Sequence, residues 1–177
     1  MPEILDAPLT HKGRQQARLL QPILQSMKSP PSLVVLSPNC RALQTGTIAL
    51  EFLTGKIPFV AHEMVREETG IHVCDKRRPT SQQSQEFPMV DFSLLTEEED
   101  VIFQSTHRET KLEVGQRIYQ FMEWLTQREE EHVAVASHSG WLFSVFNGVC
   151  TCDDDLKRWF HTGEMRSVKL KFSKKEE

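Results

Sequence analysis

The amino-acid sequence predicts a three-layer α/β domain with a mostly parallel sheet. Two short segments, 33–36 and 132–137, are typical of strands that are buried on both faces of such a sheet. Segments with helical spacing of apolar residues alternate with these strands, and this alternation is the pattern of parallel α/β folds. The 177 residues suffice for one such domain, which we expect to span 1–173 and to be followed by a charged tail at 174–177.

The first part of the chain is predicted to fold as helix, strand, helix and strand. Thr10 can cap a helix that runs to about Met27, where a Ser-Pro-Pro sequence ends it. After the first strand, a second helix begins at Asn39 and ends near Gly55. A further short strand is expected at 57–61, which completes the first half of the alternating pattern.

The middle of the chain loses this periodicity and the last part regains it. Residues 62–104 are rich in Ser, Gln and Pro and predict a long excursion, and excursions of this length tend to carry function. Helical spacing returns at 112–125, and a short apolar helix is expected at 139–147 after the second buried strand. Apolar residues alternate at 167–172, which suits an edge strand.

The charge and composition of the sequence limit the classes of binding partner that we expect for the protein. The formal net charge is −4 and no basic tract is present, so nucleic acid is not an expected partner, although one small positive pocket is compatible with this charge. No apolar run approaches the ~20 residues of a membrane span, and the amino end does not resemble a signal peptide. We therefore expect a cytoplasmic protein whose cysteines are thiols and which holds no metal. These cysteines are Cys40, Cys74, Cys150 and Cys152.

Two turns at the carboxyl ends of the buried strands are the expected ligand site. Ligands of parallel sheets bind beyond this edge, and here Arg41 follows the first strand while His138 follows the second. A guanidinium in the first turn of a helix suits an anion, and a histidine in such a turn can donate to an anion or move a proton. Each residue alone also fits a purely structural role, as a solvated surface arginine or a histidine bonded to a carbonyl.

Three short segments of the sequence form a recognisable series. They are Leu9-Thr10-x-x-Gly13-x-x-Gln16-Ala17, Ser37-Pro38-x-x-Arg41-Ala42-x-Gln44-Thr45 and Val135-x-Ser137-His138-Ser139-Gly140. Together they resemble successive signatures of the histidine phosphatase superfamily, the clan of phosphoglycerate mutases and many acid phosphatases. A further stretch around Arg66-Glu67-Glu68-Thr69-Gly70 is similar to its phosphoglycerate-mutase-like branch.

The resemblance implies a phosphomonoesterase that acts through a phosphohistidine, without a metal or cofactor, on a small phosphorylated substrate. It places Arg41 in the phosphate cradle, His138 against the phosphate, and Glu67 as the acid that protonates the leaving oxygen. Glu68 is an alternative to Glu67, because the spacing of Glu67 to Gly70 differs by one from the commonest family pattern. Further arginines could extend the positive rim or be solvated surface charges, and these are Arg66, Arg77, Arg78 and Arg108.

One family signature is missing, because no Arg-His-Gly occurs in the sequence. In the family that motif ends the first strand and supplies the nucleophile, so the resemblance implies a fold without its first strand. We expect that strand to lie between those at 33–36 and 132–137, and we expect the chain as given to be inactive. The alternative is a binding or scaffold domain that keeps Arg41 and His138 without hydrolysis. Nothing in these residues indicates the closed site that mutase activity needs.

Overall fold

The computed structural model describes residues 4–173 and has a parallel sheet at its centre. The strands are β1 (Leu33–Leu36), β2 (Phe59–Ala61) and β3 (Val133–Ala136), in the spatial order β2-β1-β3. Both strand pairs are parallel, with Val60 and Val135 flanking Val35. The predicted parallel sheet is thus confirmed, while the predicted charged tail at 174–177 lies outside the described residues.

Within residues 4–173, six α-helices surround this sheet. The predicted first helix divides in two, because Pro22 has no N–H to continue the helical ladder beyond Leu19. Thr10 caps the first of the two as expected, accepting a 3.2 Å hydrogen bond from the Gly13 N–H. The helices are α1 (His11–Leu19), α2 (Gln21–Gln25), α3 (Cys40–Ala49), α4 (Thr80–Glu86), α5 (Lys111–Thr126) and α6 (Ser139–Ser144), the last continued by a π-helical turn at Val145–Val149.

Helices cover both faces of the sheet, which gives the three predicted layers. Alternate residues of β1 point to opposite faces. Val34 and Leu36 belong to one apolar cluster with Leu43 of α3, and Leu33 and Val35 belong to a second with residues of α5 and α6. Because all four β1 residues are fully buried, β1 is the central strand of the sheet.

The expected position of a missing strand between β1 and β3 is wrong. These two strands pair directly, from Leu33 opposite Val133 to Leu36 opposite Ala136, so no strand fits between them. The outer edge of β3 has no partner strand in the described part of the chain, and all four of its residues are only half-buried. If an additional strand joins this sheet beside β3, it must do so at that outer edge.

The edge strand predicted at 167–172 does not form. In the structure this segment has no regular secondary structure, and its alternating apolar residues Val168, Leu170 and Phe172 are exposed. A strand needs a neighbour for its backbone N–H and C=O groups, and no strand of residues 4–173 pairs with this segment. The alternating pattern alone is therefore not sufficient for a strand here.

The predicted excursion at 62–104 is held together by buried ion pairs, and it contains α4, which the sequence pattern did not predict. Arg66 and Arg77 could have been solvated surface charges, but the structure buries both, at 1% and 2% exposed. Arg66 pairs with Asp100 at 2.5 Å, and Arg77 pairs with Glu63 at 2.7 Å. These arginines therefore stabilise the excursion instead of extending a positive rim. No helix of residues 4–173 is long and apolar enough to cross a membrane.

Candidate active site

The two turns at the carboxyl ends of β1 and β3 meet, as the sequence predicts. The Ser37 N–H donates to the Ala136 carbonyl at 2.9 Å, which brings the ends of the two strands together. The Ser37 hydroxyl lies 2.8 Å from His138 Nε2, and both side chains are buried. His138 is therefore fixed against the end of the central strand, one residue before α6 begins.

Arg41 lies in the first turn of α3 on the same edge of the sheet. Its Nη1 donates to the Cys74 carbonyl at 2.8 Å and its Nη2 to Asp75 Oδ1 at 2.7 Å. Its side chain remains 26% exposed, so part of the guanidinium faces solvent. Because the turn after β1 carries Arg41, the turn after β3 carries His138, and the two turns meet at the Ser37–Ala136 hydrogen bond, both residues lie at the same edge of the sheet.

His138 is a neutral imidazole at pH 7. Burial lowers its pKa well below the usual value, and the positive charges of Arg41, Arg66 and Arg117 lower the pKa further. A neutral imidazole has one N–H donor and one acceptor nitrogen. His138 can therefore donate a hydrogen bond to an anion without adding a charge of its own.

Glu67 lies at the N-terminus of α6, next to His138. Its Oε1 accepts from the Trp141 N–H at 3.0 Å, and its Oε2 accepts from the Gly140 N–H at 3.3 Å. A β-carbon at Gly140 would lie 2.5 Å from Glu67 Oε1, so the carboxyl needs a glycine after the His-Ser pair. Arg117 holds the backbone of this segment by donating to the Glu67 carbonyl at 3.1 Å.

Glu68 has different surroundings from Glu67. It pairs with Arg108 at 3.3 Å and also with Lys111. Partial burial raises the pKa of Glu68, but the hydrogen bond and charge of Lys111 and the charge of Arg108 outweigh it, and the pKa lies below its usual value. Glu68 is thus engaged in ion pairs away from the N-terminus of α6, and the choice between Glu67 and Glu68 as proton donor stays a prediction.

Asp6 is a residue of the site that sequence reasoning missed. Its buried carboxylate accepts from the Cys40 N–H at 2.8 Å and from Arg78 Nε at 3.2 Å. The N-terminus of α3 was expected to be open to an anion, but this carboxylate takes the first N–H, so anion binding at this edge depends on side chains. The sequence offered one signal, since Asp6 precedes the Leu9-Thr10 motif that packs on α3 through a Leu9 N–H bond to Gln44 Oε1 at 2.8 Å.

Three other histidines have surroundings that explain their presence without a role at the candidate site. His62 packs edge-on against Phe121 and Trp124, and burial lowers its pKa to about 4. His107 lies 3.0 Å from Glu113 at the start of α5, and His11 is an exposed residue of α1. Residues 4–173 bring together no group of three or more His, Cys, Asp or Glu that could hold a metal ion.

The structure is thus an α/β fold with a candidate site at the carboxyl ends of its parallel strands. An arginine, a neutral histidine and a carboxyl group lie at this site. The sequence model of the histidine phosphatase superfamily (branch 1) matches residues 3–177, and the chain belongs to that superfamily. It is 32% identical over 199 residues to phosphoglycerate mutase-like protein 1 of Arabidopsis thaliana, covering 94% of this chain and 71% of that protein. It is 30% identical over 185 residues to a second Arabidopsis phosphoglycerate mutase-like protein, covering 88% of this chain and 68% of that protein.

Solved structures share the fold at lower sequence identity. Mycobacterial glucosyl-3-phosphoglycerate phosphatase superposes with a TM-score of 0.52 at 21% identity, covering 82% of this chain and 68% of that one. The alpha-ribazole phosphatase of Shigella flexneri superposes with a TM-score of 0.51 at 19% identity, covering 80% and 68%. These similarities confirm the predicted fold class.

Proposed function

We propose that this chain is the phosphate-binding part of a phosphomonoesterase that acts through a phosphohistidine on a small phosphorylated substrate. The observation that carries the proposal is that the turns bearing Arg41 and His138 meet at one edge of the sheet, where the Ser37 N–H donates to the Ala136 carbonyl and the Ser37 hydroxyl contacts His138. In the transition state of phosphoryl transfer, negative charge is spread over the equatorial oxygens of the phosphoryl group. Fixed hydrogen-bond donors around these oxygens lower the activation barrier. Arg41 supplies a cationic donor, and His138 supplies a neutral one.

The nucleophilic histidine belongs to a strand that this sequence lacks. The outer edge of β3 supports this, because a parallel strand there would end beside His138. The exposed alternating segment at 167–172 supports it as well, since an added strand would offer it a neighbour. Under this proposal the present chain carries the anion site but lacks the histidine that attacks phosphorus.

With a nucleophilic histidine present at this site, the proposed reaction has two steps. A histidine nitrogen attacks phosphorus, the bond from phosphorus to the ester oxygen breaks, and Glu67 gives that oxygen its proton. Water then attacks the phosphohistidine, the histidine nitrogen leaves, and Glu67 takes the proton of the water. Support for this role of Glu67 is its position at the N-terminus of α6, where its Oε2 accepts from the Gly140 N–H two residues after His138.

The test compares the chain as given with the same chain extended at its amino end by a strand ending in Arg-His-Gly. The given chain is expected to bind inorganic phosphate and to leave an aryl phosphate uncleaved. The extended chain is expected to cleave it without added metal and to retain an acid-labile phosphoryl group when quenched. An extension with asparagine in place of the histidine is the matched control and should be inactive.

Two results would contradict the proposal. Metal-independent turnover by the given chain would show that no added histidine is needed. An extended chain that folds and binds phosphate without turnover would favour the alternative, a non-catalytic domain that binds or presents a phosphorylated ligand. The expected cytoplasmic location and the expected lack of nucleic-acid partners remain predictions of the sequence.

A further inference from the structure

We infer that Asp75 is a positioning residue that holds the Arg41 guanidinium in the orientation needed for a phosphoryl group and couples it to Arg108. This inference rests on the proposed function, since it concerns how that anion site is built. Neither the sequence motifs nor the family assignment gave Asp75 a role.

The Asp75 carboxylate divides its two oxygens between two arginines. Oδ1 accepts from Arg41 Nη2 and Oδ2 accepts from Arg108 Nη1, both at 2.7 Å. The Asp75 side chain is 8% exposed, whereas those of Arg41 and Arg108 are 26% and 27% exposed. A buried acceptor thus binds two arginines whose side chains are partly exposed, and charge-assisted bonds of this length are strong and directional.

Asp75 is itself fixed by the buried network of the excursion. Its backbone carbonyl accepts from Arg66 Nη2 at 2.9 Å and from Asn39 Nδ2 at 3.2 Å. Arg66 is held in turn by Asp100, and the carbonyl of the preceding Cys74 binds Arg41 Nη1 at 2.8 Å. Arg41 therefore meets two acceptors on one rigid turn, and the long excursion sets its direction.

Charge and orientation predict opposite effects when this carboxylate is neutralised. Removing a negative charge beside an anion site strengthens Coulomb attraction for the anion, so a purely electrostatic role predicts tighter phosphate binding. A positioning role predicts weaker binding, because the released arginine regains rotamer freedom that the anion must then remove. The sign of the change separates the two.

The experiment measures inorganic phosphate binding by calorimetry for wild type, Asp75→Asn, Arg41→Ala and Asp155→Asn. We expect Asp75→Asn to bind about tenfold more weakly, the cost of about one charge-assisted hydrogen bond. Asp155 is an exposed carboxylate of the 3-10 turn after α6, and its asparagine variant should bind within about twofold of wild type. Unchanged or tighter binding by Asp75→Asn, with loss in Arg41→Ala, would overturn the inference and leave the proposed function standing.

No binding by wild type would instead contradict the proposed function, and the inference with it. If Asp75→Asn does not fold, nitrogen-15 NMR of the arginine side chains in the wild-type protein tests the inference instead. A held guanidinium should show separate Nη signals for Arg41 from hindered rotation about its Nε–Cζ bond. One averaged Nη signal in wild type would overturn the inference.

Discussion

Replacing Asp100 by alanine is expected to lower the free energy of unfolding by about 3 to 5 kcal/mol, because it breaks a buried ion pair and leaves buried N–H donors without their acceptor. Arg66 keeps a second carboxylate partner, Glu63 at 3.1 Å. Asp100 accepts from Arg66 Nη1 at 2.8 Å and from Arg66 Nη2 at 2.5 Å. It also accepts backbone N–H groups of Arg77 at 2.9 Å and Phe103 at 3.0 Å. Urea unfolding followed by tryptophan fluorescence measures the loss.

The matched control is Asp154→Ala, which removes an ion pair with Lys157 from a side chain that is 94% exposed. Water and salt screen an exposed pair, which therefore contributes little to stability, so this variant should unfold close to wild type. Equal losses in the two variants would contradict the stabilising role of the buried network.

The Asp100 effect should also depend on pH. Burial raises the pKa of Asp100, but the hydrogen bond and charge of Arg66 outweigh it and hold the pKa below its usual value. The ionised group therefore stabilises the fold above the pKa of an unfolded aspartate, about 3.9. This contribution is lost as the pH falls through the lower folded value, so the gap between wild type and Asp100→Ala should narrow there.

Replacing Gly70 by alanine is the second large effect, an expected loss of about 3 to 5 kcal/mol from backbone strain and overpacking together. Gly70 has φ +95°, and a β-carbon would lie 1.8 Å from the His107 carbonyl oxygen. The clash is with backbone, so no rotamer change relieves it. The Gly70 carbonyl also accepts from Arg108 Nη1 at 2.9 Å, and the variant should therefore weaken phosphate binding as well as stability.

Gly55→Ala separates these two causes of the loss. Gly55 has φ +74° and no atom within 4 Å of a built β-carbon, so its variant carries backbone strain alone, about 1 kcal/mol. Thermal unfolding of both variants gives the comparison. If Gly70→Ala loses no more stability than Gly55→Ala, the backbone around Gly70 adjusts to the added methyl group, which would contradict the predicted overpacking.

The sequence was sufficient to predict the fold class because its signals are local. The apolar run at Leu33–Leu36 indicated a strand buried on both faces, and the structure gives that strand helices on each side. Strand order is a property of the whole sheet, and no residue of β1 or β3 states which strand lies beside it. The predicted gap between β1 and β3 was therefore wrong, although both strands were recognised.

The residues of the candidate site likewise include some that the sequence could predict and some that it could not. Arg41 and His138 could be found because each directly follows a buried strand, and the carboxyl ends of parallel strands share one edge. Asp6 and Asp75 each contact α3 from 34 residues away along the chain, and the position of Asp6 before the Leu9-Thr10 motif was the one local signal for either. The burial of Arg66 was missed for a similar reason, since its partner Asp100 lies 34 residues away along the chain.

The most direct test of a single anion pocket is an NMR titration of the chain with inorganic phosphate, following the Arg41 Nε and His138 ring signals together. If the two side chains share one pocket, both sets of signals shift with the same midpoint, and Arg41→Ala abolishes the shift at His138. A shift at only one of the two residues, or two different midpoints, would contradict the account.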